Sequence, residues 1–251
     1  MARIVNHIGE KYTTFEGYEI EVISLVNSSK YSVRFKCGLI KNNFTYALIK
    51  RGRVSYPYHP KIYKVGFSGI GVYKSTKGGK INKNYNTWIS MLRRAYCEKH
   101  HEKYPTYKDV TVCDEWHNFQ NFAKWFEENW KDHMDSSWHL DKDILSEQNK
   151  TYSPQTCAFV PHEINTILLK STIRVGNLPV GVFKVGKKFQ AKINKNGNYI
   201  LIGYFNTSEL AFQAYKIAKE EYIKEVADKW KRFIDPRVYK IMYEHKIKLR
   251  D

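Results

Sequence analysis

The sequence lacks any long hydrophobic run. No apolar stretch approaches the ~18–20 residues that a helix needs to span a bilayer, which argues against a transmembrane protein. The N-terminal residues also lack the apolar stretch of a secretory signal. Cysteine is scarce, and the four cysteines (Cys37, Cys97, Cys113 and Cys157) form no CxxC pair. This pattern favours reduced thiols, so we expect a cytoplasmic protein without a membrane partner.

Acidic residues are also fewer than basic residues. The 251 residues include 25 Asp and Glu against 42 Lys and Arg, which gives a net charge of +17. Residues 1–83 carry +11, residues 84–170 carry −3 and residues 171–251 carry +9. A polyanion such as DNA would be held by the basic flanks, whereas a mildly acidic centre suits a divalent cation. An AT-rich genome would also raise the lysine content, but it does not easily explain the acidic middle.

Hydrophobic periodicity divides the chain into four segments and predicts an α+β protein. Residues 1–60 alternate polar and apolar positions and predict a small antiparallel β module. Residues 57–83 are rich in Gly, Lys, Pro and Tyr, and a basic linker is predicted over residues 61–83. Residues 84–170 combine two helical patterns, one over 85–98 and one beginning near Asn118, with a strand–loop–strand–helix pattern. Residues 171–251 predict a three-stranded sheet and a helix, with a C-terminal helical extension.

The strand–loop–strand–helix pattern contains a candidate metal site. Its first strand carries the sequence Trp138-His139-Leu140-Asp141-Lys142-Asp143-Ile144, and its helix contains Pro161-His162-Glu163-Ile164-Asn165. Folding this hairpin against the helix would bring Asp141 opposite Asn165. Carboxylate and amide oxygens are hard ligands that suit one Mg²⁺ or Mn²⁺ ion. Zinc is disfavoured because Cys and His are not clustered.

The same segment resembles the HNH nuclease family, in particular its phage and intron-associated branch. The resemblance implies a ββα-metal unit that nicks or cleaves double-stranded DNA. By resemblance, Asp141 matches the first metal ligand and Asn165 the helix ligand. Thr156 occupies the place of the central structural Asn, nine positions before the helix residue as in the family.

Two positions depart from the family pattern. Lys142 stands where the family has its general-base His, and Thr156 replaces Asn. A protonated lysine does not take a proton from water, although it would stabilise a phosphate transition state. His139 lies two residues before Asp141, so a strand would place both on one face and His139 would replace the missing base. Asp143 would share that face as a further candidate metal ligand.

The C-terminal segment resembles the DNA-binding domain of plant ethylene-response factors (APETALA type), which also occurs in phage homing endonucleases. The matching motifs are Gly181-Val182, Phe189-x-Ala191-x-Ile193, Gly203-x-Phe205, Thr207 and Ala211 to Tyr215. In that family a three-stranded sheet enters the major groove of DNA. The resemblance implies DNA contacts from Lys184, Lys187, Lys188, Gln190, Lys192, Lys195 and Tyr199. Lysines would bind phosphates and Gln190 would contact a base edge.

The two resemblances cover roughly residues 84–222 and predict a metal-dependent endonuclease of homing type, located in the host cytoplasm if phage-encoded. Its catalytic residues would be His139, Asp141, Lys142 and Asn165. One alternative is a catalytically degenerate DNA-binding protein or regulator built on the nuclease fold. Another is a protein–protein interaction factor that uses the aromatic faces of the middle helices.

Overall fold

The chain has a mixed α+β fold with several small sheets. The structure, a computed structural model, describes residues 6–146, 149–168 and 178–248. It divides into two compact units: Met1–Lys74 with Asp114–Phe122, and Ser75–Cys113 with Ala123–Asp251. This division does not follow the four predicted segments. In the described part of the chain, no helix is sufficiently long and apolar to cross a membrane.

The first unit is built around the predicted N-terminal sheet. Its strands form an antiparallel meander in chain order: β1 (Lys11–Thr13), β2 (Glu19–Asn27), β3 (Lys30–Phe35) and β4 (Ile40–Thr45). Helix α1 (Tyr46–Lys50) follows directly, and Thr45 caps it. Alternation along β2 and β3 buries one face, on which Val22 and Val33 are completely enclosed.

The second unit contains short hairpins and helices before the candidate metal segment. These elements are β5 (Thr76–Lys77), β6 (Lys80–Ile81), α2 (Lys83–Tyr96), α3 (Glu98–Lys103) and β7 (Thr111–Val112). Helix α4 (Phe119–Asn129) has its first four residues in the first unit and the rest in the second, and it begins where the sequence predicted a helix start, one residue after Asn118. Strand β7 pairs in parallel with β9 (Thr151–Tyr152), which lies inside the predicted loop.

The candidate metal segment forms two antiparallel strands and a short helix. These elements are β8 (Trp138–Asp141), β10 (Ala158–Pro161) and α5 (His162–Ile167). Two sequence predictions are wrong in detail. The first strand ends at Asp141, so Ile144 lies in a turn and not on the strand. Pro161 is the last strand residue and the helix N-cap, not the first helical residue.

The C-terminal sheet and helix form as predicted. The strands β11 (Val182–Val185), β12 (Lys188–Lys195) and β13 (Asn198–Phe205) form an antiparallel sheet in chain order, followed by α6 (Ser208–Trp230) and α7 (Pro236–Glu244). Gly181 has a φ of 75°, and a Cβ there would lie 2.1 Å from the Tyr215 ring on α6. The close approach of strand and helix therefore requires glycine at this position. The predicted boundary between residues 170 and 171 falls outside the described residues.

Candidate functional site

The β8–β10 hairpin places His139 and Asp141 on one face of the strand. Trp138 and Leu140, which alternate with them, are each only 6% exposed. His139 is exposed and Asp141 is half-buried. Helix α5 packs against both strands. The predicted pairing of a histidine and a carboxylate on one strand face is therefore present, at the exposed side of a packed hairpin.

Asp141 also ends the strand that carries it. Its Oδ1 accepts hydrogen bonds from the backbone N–H groups of Asp143, at 2.8 Å, and Ile144, at 2.7 Å. These bonds close a turn immediately after the strand, as Asp side chains commonly do. The chain therefore leaves the strand before Asp143, which corrects the prediction that Asp143 shares the strand face. The Asp143 carboxylate instead pairs with the ammonium group of Lys142.

Lys142 is buried, with only 6% of its surface exposed. Its Nζ donates hydrogen bonds to the Asp143 carboxylate and, at 3.1 Å, to the backbone oxygen of Asn149. The Asn149 amide completes this loop by donating to the backbone oxygens of Lys142, at 3.0 Å, and Thr151, at 2.7 Å. Lys142 thus holds the loop together from the buried side. It does not share the exposed face of His139 and Asp141.

Thr156 closes the short loop before β10. Its hydroxyl donates to the backbone oxygen of Thr151 at 2.7 Å and accepts from the backbone N–H of Ser153 at 3.1 Å. A side-chain hydrogen bond also joins Thr156 and Ser153 at 2.9 Å. These bonds stabilise the short loop that contains Thr156. The adjacent Cys157 is a buried thiol whose pKa desolvation raises to about 12, which makes it a poor nucleophile.

Asn165 lies half-buried on α5, the helix that packs against both strands of the hairpin. Its side chain makes no hydrogen bond within the described part of the chain. Asp141 and Asn165 therefore belong to one strand–strand–helix arrangement. Over residues 6–146, 149–168 and 178–248, no group of three or more His, Cys, Asp or Glu side chains is placed to hold a metal ion.

A groove of about 390 Å³ opens beside His139. Its basic lining residues are His139 itself, Arg93 and Arg94 at the end of α2, and His100 on α3. The Arg94 guanidinium stacks over the Tyr152 ring at 5.1 Å, while its buried Nε has no hydrogen-bond partner among the described residues. The sequence analysis missed the two arginines because they follow the predicted core positions of a helix, where charged residues commonly face solvent.

The groove affects the ionisation of His139. Desolvation, followed by electrostatic interactions with His162 and Arg94, lowers the pKa of His139, and the nearby Asp141 carboxylate opposes this shift only in part. The His162 ring lies edge-on to the His139 ring, with 5.5 Å between the centroids. The lowered pKa favours the neutral form of His139, and a neutral imidazole can accept a proton.

The C-terminal sheet separates the predicted DNA contacts between its two faces. Strand alternation and register place Lys188, Gln190, Lys192 and Tyr199 on the face away from α6. Tyr199 is 69% exposed, and Lys192 lies 5.9 Å from the centre of the Phe183 ring. Gln190 is only 7% exposed, and its Nε2 donates to the Tyr204 hydroxyl at 3.0 Å. Gln190 would therefore have to break its hydrogen bond to Tyr204 before its amide could bond to a base.

Two of the predicted DNA contacts lie on the other side of the sheet. Lys195 donates to Glu225 of α6 at 2.8 Å and lies 4.7 Å from the centre of the Tyr222 ring. Lys184 shares its side of β11 with the buried Val182. Neither residue lies on the face away from α6, here called the open face. Side chains alternate between the two faces of a strand, so Lys184 and Lys195 lie on the helix side. Lys187 lies in the exposed turn between β11 and β12.

These residues form a basic groove beside a histidine and a carboxylate, together with a basic and aromatic sheet face. No family model, curated protein or solved structure matches the chain.

Proposed function

We propose that this protein is a metal-dependent DNA endonuclease of the HNH type, which nicks or cleaves double-stranded DNA. The observation that carries the proposal is the position of His139. It lies on the same exposed strand face as Asp141 and lines a groove with two arginines, and its pKa is lowered. A neutral base, a carboxylate and cationic phosphate-binding groups are the components that phosphodiester hydrolysis requires.

The donor chemistry at Asp141 and Asn165 fits Mg²⁺ or Mn²⁺. The turn after β8 uses Oδ1 of Asp141, which leaves Oδ2 outside those two bonds, and the Asn165 amide makes no hydrogen bond within the described residues. Mg²⁺ commonly uses one or two protein oxygens together with waters and substrate phosphates, so a larger ligand cluster is not required. A metal ion held there would stabilise negative charge on the phosphate and the leaving oxygen.

The protein side chains have separate tasks in this proposal. His139 takes a proton from the attacking water at its neutral ring nitrogen. Arg94 and Arg93 bind the phosphate oxygens in the groove, and Arg94 also keeps His139 neutral through its charge. Lys188 and Lys192, on the open sheet face, bind phosphates of the DNA backbone other than the one that reacts.

A second candidate function is a DNA-binding protein without catalytic activity. The observation that favours it is Lys142, which stands at the family's histidine position and is buried in a loop-stabilising network. Under this alternative, Arg93, Arg94 and the sheet lysines still bind DNA, but no group deprotonates water.

Incubation with a mixed pool of duplex DNA distinguishes the two functions. The purified full-length protein is supplied with Mg²⁺, with Mn²⁺ or with EDTA, and both cleavage and binding are measured. The endonuclease proposal predicts cleavage with a metal ion and none with EDTA. Duplex binding without cleavage under every condition supports the second candidate, and absence of both binding and cleavage overturns both.

A further inference from the structure

A second cleft is lined in part by His162, whose ring lies beside that of His139. It has a volume of about 690 Å³ and is lined by residues of α5, the β12–β13 turn and α6. His162 of α5 lines this cleft, whereas His139, whose ring is 5.5 Å away, lines the groove. The two sites are therefore neighbours within the same compact unit.

Lys219 gives this cleft an uncompensated positive charge. Other lysines nearby have carboxylate partners: Lys195 pairs with Glu225 and Lys216 with Glu220. Lys219 has neither a hydrogen bond nor an ion pair with any described residue. Its surroundings desolvate it, which lowers its pKa. Because a desolvated ammonium without an anion is unfavourable, a bound anion would stabilise it.

The β12–β13 turn adds two amide groups to the same cleft. The Oδ1 of Asn194 accepts from the backbone N–H of Gly197 at 2.8 Å, and the Oδ1 of Asn196 accepts from the Tyr222 hydroxyl at 3.0 Å. These bonds fix each amide by its oxygen and leave the NH₂ groups without partners among the described residues. Asn194, Asn196 and Lys219 all line the cleft. The groups that remain, two amide NH₂ groups and one ammonium, are all hydrogen-bond donors, so they would bind a ligand that accepts hydrogen bonds.

The carboxylate in the cleft is already neutralised. Glu163 Oε2 accepts from Lys229 Nζ at 2.6 Å and from Trp230 Nε1 at 2.7 Å. Although burial opposes its ionisation, these two bonds prevail and lower the pKa of Glu163. Glu163 and Lys229 therefore cancel, and the charge of Lys219 remains to attract an anion.

We infer that this cleft binds a phosphate group of the DNA backbone, next to the phosphate held in the groove. The inference rests on the proposed function, because DNA supplies the phosphate. The ammonium of Lys219 and the amide groups of Asn194 and Asn196 bind its oxygens. His162 lines this cleft and lies beside His139, so a phosphate bound here sets the position of the DNA strand relative to the reacting groups.

Two measurements on the full-length protein test this inference. Duplex affinity is measured at several salt concentrations for wild type, Lys219→Gln, Lys219→Arg and Lys240→Gln. Lys240 is an exposed lysine of α7 that does not line the cleft. Lys219→Gln no longer neutralises a phosphate. The slope of log affinity against log salt concentration should therefore be shallower by about 0.9 for this variant than for wild type. Lys219→Arg and Lys240→Gln should retain the wild-type slope, and circular dichroism should show the same helix content in all four proteins.

Inorganic phosphate is the second probe and distinguishes the source of the anion. Titration of wild type should shift the backbone amide resonances of Asn196 and Gly197, and Lys219→Gln should abolish these shifts. Asn196→Asp, which places a carboxylate of the same shape in the cleft, should abolish them as well. If phosphate shifts these resonances but the salt slope of Lys219→Gln equals that of wild type, the cleft binds free phosphate and the DNA assignment is overturned. Absence of any shift overturns the site itself.

Cleavage is not a readout in either measurement. A protein that binds duplex DNA through Lys219 but never cleaves it would retain the phosphate site and refute the endonuclease proposal. Conversely, a cleaving protein with an unchanged Lys219→Gln salt slope would retain the nuclease and refute this site.

Discussion

His139 and His162 lie edge to face with 5.5 Å between their ring centroids, and each lines a different cleft of the same compact unit. An electrostatic interaction with His162 is one of the causes that lower the pKa of His139, after desolvation. This relationship joins β8 to the start of α5. Under the proposed function, it would link proton transfer at His139 to phosphate binding near His162.

Removal of the imidazole at position 139 tests the proposed general base. His139→Ala should slow single-turnover cleavage by ~10²–10⁴-fold, the usual contribution of a general base. Duplex affinity should change little, because a neutral imidazole contributes no ionic contact. His162→Ala is the matched control and should slow cleavage much less. Equal rates for the two variants would assign proton transfer to another group.

The pH dependence of cleavage should follow His139. Only neutral imidazole accepts a proton, so kcat/KM rises with pH through the pKa of His139. Since desolvation, His162 and Arg94 lower that pKa, the midpoint should lie below the ordinary histidine value of 6.5. Arg94→Gln removes one of the charges that lower the pKa and should move the midpoint to higher pH.

Arg93→Gln is the control for the pH experiment. Arg93 also lines the groove but does not contribute to the pKa shift of His139. Its substitution should weaken substrate binding and leave the midpoint in place. A midpoint that moves equally in both variants, or in neither, contradicts the assignment of this pKa to His139.

The loop around Lys142 should have a structural role. Lys142→Met removes the bonds to the Asp143 carboxylate and to the backbone oxygen of Asn149, so we expect a melting temperature below that of wild type. Asn149→Ala should destabilise the protein by about 1–3 kcal/mol, because backbone groups of Lys142 and Thr151 lose their partners. Thermal unfolding measures both effects. A fall in cleavage by Lys142→Met as large as that of His139→Ala would restore a catalytic role to Lys142.

The two faces of the C-terminal sheet should differ in their contribution to DNA binding. Lys188→Gln with Lys192→Gln should flatten the salt dependence of duplex binding by about 0.9 for each phosphate that is no longer neutralised. Lys195→Gln removes the same charge from the side that faces Glu225 and should leave the slope unchanged. Affinity titrations at several salt concentrations measure this. Equal salt-dependence slopes for the Lys188→Gln with Lys192→Gln protein and the Lys195→Gln protein would mean that the open face does not contact DNA.

Sequence reasoning predicted the elements that depend on local pattern. Alternation identified the N-terminal strands, helical periodicity identified α2 and α4, and the positions of Gly181 and Thr207 marked the boundaries of the C-terminal sheet and helix. Thr207 caps α6 as expected, by accepting a hydrogen bond from the backbone N–H of Leu210 at 3.3 Å. Such features follow from the backbone preferences of a few neighbouring residues.

The remaining features depend on contacts between distant segments. The bonds from Lys229 and Trp230 to Glu163 join residues more than sixty positions apart, so no local pattern revealed the cleft at Lys219. Lys142 contacts Asn149 and Tyr152, which follow it in the chain only after a loop, so its burial could not be predicted from neighbouring residues. The period of two assigned Asp143 to the strand face, but the Asp141 side chain ends the strand first by bonding to the backbone.

Substitution of Asp141 tests the central claim most directly. Cleavage of duplex DNA with Mn²⁺ and duplex affinity without metal are measured side by side for wild type and Asp141→Ala. We expect that wild type cleaves, that Asp141→Ala does not, and that the affinity of the variant is kept or raised because a negative charge has been removed. Cleavage by Asp141→Ala at the wild-type rate would contradict the proposed site.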